Sequence, residues 1–139
     1  MNTSISDAYV SFREVQKSYD GENLVVKDLN LGVERGEFMT MLGPSGSGKT
    51  TCLMMLAGFE TATSGEIMLD GTGINNVPPW KRDIGIVFQN YALFPHMTVR
   101  ENLAYPLEVR KVPKNEITAR VEKALGMVQL SGFAGRRPG

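Results

Sequence analysis

The run Gly43-Pro44-Ser45-Gly46-Ser47-Gly48-Lys49-Thr50 constrains this chain more than any other stretch. It fits G-x-x-x-x-G-K-[ST], whose chemistry needs a strand before it and a helix after it. The glycines let the backbone curl so that successive N–H groups point inward at phosphate oxygens. A helix starting near Lys49 adds the positive end of its dipole. Lys49 supplies a point charge for β- and γ-phosphates, and the Thr50 hydroxyl is a ligand for Mg²⁺. The plain alternative is a flexible Gly/Ser turn before a helix. The flanks argue against it: residues 37–42 form a short apolar run consistent with a buried strand, and residues 49–57 read as a helix.

That helix is apolar on all sides from Cys52 to Ala57, which predicts burial, and Gly58 is placed to end it as a left-handed cap. Upstream, Tyr9, Phe12 and Val15 mark a β-like opening that ends near the Asp20-Gly21 turn. Leu29, Leu31 and Val33 alternate with polar or small residues, the pattern of a half-buried strand. Downstream, residues 66–69 and 84–88 read as short strands, with a turn at Asp70-Gly71 and a rigid extended connection at 77–80. Residues 89–97 read as loop. Thr98 and Glu101 form a capping box for a helix carrying Leu103 and Leu107 that is interrupted at Pro106. Ile117, Val121, Ala124, Leu125 and Val128 recur at helical spacing, giving an amphipathic helix over about 114–128. Residues 132–139 carry no core pattern.

Composition narrows the function classes. The chain has 139 residues, and its 15 Lys+Arg balance 15 Asp+Glu. Zero net charge removes the broad basic footprint of a nucleic-acid binder. With 22% charged and 42% hydrophobic residues, disorder is not expected. Cys52 and His96 are each the sole residue of their kind, so neither a disulfide framework nor a multi-histidine or thiolate metal site is expected. No apolar run approaches the roughly 18 residues of a membrane span. Residues 1–10 lack the basic and apolar regions of a secretory signal. These features suggest a soluble globular chain of a reducing compartment.

With these motifs in place, the sequence resembles the ATP-binding subunits of ABC transporters from about Val10 to Gly139. Gly-Pro-Ser-Gly-Ser-Gly-Lys-Thr-Thr is that family's form of the phosphate loop. Leu56-Ala57-Gly58-Phe59-Glu60, then Ser64-Gly65-Glu66-Ile67, is its usual continuation. Ile84-Gly85-Ile86-Val87-Phe88-Gln89 resembles the strand leading into the family's glutamine loop. The following Asn90-Tyr91-Ala92-Leu93-Phe94-Pro95-His96-Met97-Thr98-Val99 is similar to importers of polyamines, ferric iron and sugars. Pro78-Pro79-Trp80-Lys81-Arg82-Asp83 leans toward the spermidine/putrescine branch.

The resemblance implies an α/β fold, a partial P-loop NTPase. Its parts would be an antiparallel β subdomain with an incomplete RecA-like core over about 1–90, and the start of the helical subdomain over about 91–139. It implies ATP and Mg²⁺ as cofactors. Tyr19 would stack on adenine, where the residues alone suggest an ordinary turn aromatic. Gly43, Ser45, Gly46, Ser47, Gly48, Lys49, Thr50 and Thr51 would bind the nucleotide. Gln89 would be the catalytic glutamine and, with Thr50, would reach the metal; without the resemblance it is a polar residue ending a strand. Tyr91 to Met97 would receive a permease helix, and His96 in that stretch belongs to surface or interface. A second ATP-binding subunit would complete a homodimer at the cytoplasmic face of the membrane, with no direct membrane span and no nucleic-acid partner.

Within these 139 residues the family's second acidic motif, its full Leu-Ser-Gly-Gly-Gln signature, its switch histidine and any C-terminal regulatory domain are not found. Ile67-Met68-Leu69-Asp70 has Gly71 where the catalytic glutamate should stand, and Leu130-Ser131-Gly132-Phe133 only begins like the signature. The expectation is a little over half of a nucleotide-binding domain, ending a residue or two before the signature, that binds nucleotide without turning it over. The other readings are a free-standing P-loop kinase, which the match at 84–89 disfavours, and a non-catalytic remnant.

Overall fold

The computed structural model describes residues 8–139. The expectation about a secretory signal rests largely on residues 1–7, outside the described residues. The chain divides into two compact units, one ending at Ile86 and the other running Val87–Gly139.

The first unit is built on an antiparallel sheet. Its strands are β1 (Val10–Ser18), β2 (Leu24–Val33), β3 (Ser64–Leu69) and β4 (Thr72–Gly73), in the order β2-β1-β3-β4. β1 lies in the middle because it pairs on both sides: Phe12 faces Leu31 across one ladder and Ile67 across the other. Asp70 and Gly71 form the two-residue connection between Leu69 and Thr72. Both have positive φ, which matches the right-handed twist of the flanking strands. Helix α1 (Lys49–Ala57) contributes Cys52 and Met55, one turn apart, to a core with Phe12, Val15, Val26, Ile67 and Ile74.

Four expectations need correction. Residues 37–42 form no strand. Phe38 and Leu42 are 93% and 89% exposed, because no strand among the described residues runs beside this segment to pair with it. The run 84–88, which crosses the boundary between the units, likewise has no ladder, and Val87 is 93% exposed. Helix α1 is not enclosed on every side: Leu53 is 49% exposed while Met55 is buried. The connection at 77–80 is extended only to Pro78; Pro79–Lys81 closes into a single 3-10 turn. Proline suits that first position because its missing N–H has no partner to lose.

The second unit pairs α2 (Val99–Val109) with α3 (Lys114–Met127). Ile117, Val121 and Leu125 lie at i, i+4 and i+8 and bury against Ala104, with Leu103 and Leu107 packed alongside. The capping box forms: Thr98 Oγ1 accepts from Glu101 N–H, and a Glu101 carboxylate oxygen accepts from Thr98 N–H at 2.7 Å. Helix α2 runs through Pro106 rather than breaking there. Leu103 and Leu107, one on each side of the proline, both pack into the α2–α3 core and hold the axis. The tail also differs from expectation. A 3-10 turn at Ser131–Phe133 brings Ala134 onto the core. The carbonyls of Arg136 and Ala134 accept from Val99 and Arg100 N–H at the start of α2. Two amides that a helix end leaves unpaired are thereby satisfied.

Candidate functional site

The loop 43–48 enters α1 through Gly48, which stands at the N-cap with φ +85°. A Cβ there would lie 2.9 Å from the Val25 carbonyl, so both conformation and space require glycine. This cap offers no side-chain acceptor to the helix, and no acidic residue stands in the first turn. The first amides of α1 and the positive end of its dipole therefore await an acceptor. By contrast, α2 has Thr98, Glu101 and the tail carbonyls filling the same role.

Lys49 folds back across the loop. Its ammonium donates to the Gly43 and Pro44 carbonyls, each at 2.7 Å, and to Ser47 Oγ at 3.0 Å. A further loop bond runs from Ser47 N–H to the Pro44 carbonyl. Two cavities meet here. A small one of about 130 Å³ lies over Gly46, Ser47, Gly48, Lys49, Thr50 and Thr51. A larger one of about 690 Å³ is mostly apolar, lined by residues such as Leu29, Leu31, Met39 and Met41 beside Ser47 and Lys49. The chemistry belongs to the small cavity, where backbone amides, a cation and hydroxyls converge. Thr50 is exposed.

Among the described residues, no three His, Cys, Asp or Glu side chains could hold a metal together. The protein donors at the small cavity are the hydroxyls of Ser47, Thr50 and Thr51, oxygen ligands of the kind that a hard cation takes. At the far end of α1, Gly58 has φ +88° and closes the helix by donating to the Met54 and Met55 carbonyls. Arg82 is buried against that end, with no acid among its hydrogen-bond partners in the described residues. Its guanidinium donates to the carbonyls of Met55, Leu56 and Val77 at 2.7–2.9 Å. Burial pushes its pKa down from the ordinary arginine value.

Tyr19 follows the end of β1 and is 60% exposed. Its loop is fixed by Asp20, whose carboxylate accepts from Ser18 Oγ, from the Glu22 and Asn23 N–H groups and from the Asn23 amide. Those bonds, led by the Asn23 side chain, hold the Asp20 carboxyl far below the ordinary carboxylate range. The Lys17 ammonium sits 4.7 Å from the Tyr19 ring centre. Gln89 lies in the second unit, exposed, where a turn is closed by Tyr91 N–H on the Phe88 carbonyl. Nearby, Phe94 packs edge-on to His96 and to Tyr105. The first unit thus holds Tyr19 and residues 43–51, and the second holds Gln89 and the 91–97 face.

Comparison with known proteins identifies the lineage. The ABC transporter family pattern matches residues 26–139. The chain belongs to that family. It is 53% identical over 137 residues to the spermidine/putrescine import ATP-binding protein PotA of Aggregatibacter actinomycetemcomitans, covering 99% of this chain and 37% of that protein. It is 50% identical over 131 residues to the sn-glycerol-3-phosphate import ATP-binding protein UgpC of Bordetella avium, covering 94% of this chain and 36% of that one. The chain therefore spans little more than a third of the curated relatives it matches. Among solved structures it resembles the dimeric ATP-binding cassette MJ0796 bound to ADP and Pi in a post-hydrolysis state. That likeness has a TM-score of 0.82 at 33% identity and covers 93% of this chain and 61% of that one. The α/β, partial P-loop cassette expected from the sequence is the fold observed.

Reading the sequence left out Lys17, Glu60 and Arg82 as members of the site's surroundings. Only the closeness of Lys17 to Tyr19 in the chain, at the end of β1 and just after it, hinted at the first. Nothing local marked the other two.

Proposed function

We propose that this chain is the nucleotide-binding part of the ATP-binding subunit of an importer, of the kind that takes up polyamines such as spermidine or putrescine. The observation that carries it is the uncapped start of α1 with Lys49 and the backbone amides of 43–48 beside it. A polyphosphate supplies the acceptors this helix end lacks. In this reading Gly43, Ser45, Gly46, Ser47, Gly48, Lys49, Thr50 and Thr51 hold the phosphates. Thr50 offers its hydroxyl to Mg²⁺, and Tyr19 stacks on the adenine. ATP, when bound, supplies the γ-phosphoryl bond whose hydrolysis drives transport. Gln89 orients water and metal at that step, and Tyr91 to Met97 dock a permease helix at the cytoplasmic face. A second ATP-binding subunit completes the sandwich. The polyamine branch is favoured by the likeness to PotA proteins over nearly the whole chain. In this reading about 1–90 is the β subdomain and phosphate-loop core, and about 91–139 the glutamine loop and the start of the helical subdomain.

The test is a titration of the 139-residue chain with Mg-ATP. Lys49→Ala should weaken binding by about tenfold or more, the loss of at least one charge-assisted contact. Equal affinity in the two proteins would sink the reading. No catalytic Asp-Glu strand stands within these residues, so Lys49-dependent phosphate release from them should not be seen.

A further inference from the structure

The ring of Tyr19 is backed by a side chain that is itself clamped. The side chain of Lys17 is only 12% exposed, unusual for a lysine near a loop. Its ammonium meets three groups: the Thr61 carbonyl at 2.8 Å, the Glu60 carboxylate at 3.1 Å and the Tyr19 ring at 4.7 Å from its centre. Glu60 and Thr61 are held in turn. Glu60 N–H donates to the Met54 carbonyl, so the residue is tied to the last turn of α1. Thr63 N–H donates to the Gln16 carbonyl, and Thr63 Oγ1 accepts from Ser18 N–H, which joins this connection to the end of β1. The lysine is thus a fixed part of the frame.

We propose that Lys17 is a positioning residue for recognition of the nucleotide's base, acting through Tyr19. The inference rests on Tyr19 being the adenine-stacking residue. Two physical effects follow from the geometry. The clamped cation holds one face of the ring and limits its rotamers, so less freedom is lost when a purine stacks on the open face. The cation also draws the ring's electron density toward itself, which favours an electron-rich base on the opposite face. The phosphates are held by residues 43–51 and take no part in this. Lys17 therefore contributes to the affinity for a base and not to that for a bare polyphosphate.

The experiment compares Mg-ATP with Mg-tripolyphosphate by calorimetry on the 139-residue chain. Lys17→Met keeps the apolar stem and removes the charge. It should weaken ATP by about 2- to 5-fold and leave tripolyphosphate unchanged. Lys17→Arg keeps the cation and should restore ATP affinity to within about twofold of wild type. Glu60→Gln loosens the clamp and should fall between Lys17→Met and wild type. Loss of both ligands alike in Lys17→Met would overturn the proposal, since the residue would then act through the fold or the phosphates. Unchanged ATP affinity in Lys17→Met, with a loss in Tyr19→Ala, would also overturn it while leaving Tyr19 in its role. Unchanged ATP affinity in Tyr19→Ala would remove the stacking role itself.

Discussion

The strands of the sheet and the apolar run at 37–42 have similar side chains and opposite fates. Val15 and Ile67 are fully buried between paired strands, whereas Phe38 and Leu42 stand almost wholly in solvent. The difference lies in the backbone. β1 finds β2 on one side and β3 on the other, so each of its turns of pleat has hydrogen-bonded neighbours. The segment before the phosphate loop has no ladder partner among the described residues, and only Met41 of it packs against the core. An apolar run records that a segment is suited to burial; a ladder requires a partner within reach.

Several changes would break or sharpen that contrast. The largest effect belongs to the paired side: Ile67→Ala should cost about 2–5 kcal/mol in urea unfolding, the usual result of emptying a packed site. Phe38→Ala should stay within about 0.5 kcal/mol. Similar costs at the two positions would show that 37–42 is buried in solution. Next comes the clamp at the end of α1. Arg82→Met would strip donors from four carbonyls and should cost about 2–3 kcal/mol. Gly58→Ala places a Cβ 2.6 Å from Arg82 Nε in a left-handed residue, and should cost a comparable amount. The double variant should lose less than the sum, because removing Arg82 makes room for the new methyl.

A smaller effect concerns association. The exposed apolar groups of 37–42 and Val87 should make the chain self-associate as concentration rises, and Phe38→Lys with Val87→Lys should raise the onset concentration in sedimentation velocity. Indifference to both substitutions would place the sticky surface elsewhere. The smallest effect is one of pH. Glu101 has its pKa lowered by bonds from the Thr98 backbone and hydroxyl. Its folded value lies below the unfolded one, so its contribution is full above about pH 4.3 and fades as pH falls through the folded value. Helicity should decline slightly over that acid range, and Glu101→Gln should flatten the decline. Asp20 acts with the same sign in the first unit.

Local grammar was legible in the sequence. The α1 boundaries, the Gly58 cap, the Thr98–Glu101 box and the Asp70-Gly71 turn each involve residues within four positions of one another, and each forms as read. What stayed hidden was long in range. Lys17 and Thr61 are 44 residues apart, and Arg82 reaches back 27 residues to Met55. No periodicity carries such a pairing. Arg82 sits in a charged run, Lys81-Arg82-Asp83, and nothing local in it marks a donor to the close of α1. Residues 37–42 and 84–88 misled for the opposite reason: their side chains announce a strand, and the missing term was a neighbouring backbone.

The ammonium of Lys49 already has all three of its protons engaged by neutral oxygens. A guest that takes one of those protons must trade places with a neutral oxygen. A sugar hydroxyl or an amide would exchange one neutral acceptor for another and gain nothing at this point. An anion gains the difference between an ordinary and a charge-assisted bond. On the proposed reading, the folded-back lysine would admit guests by charge density before any other part of their chemistry is read.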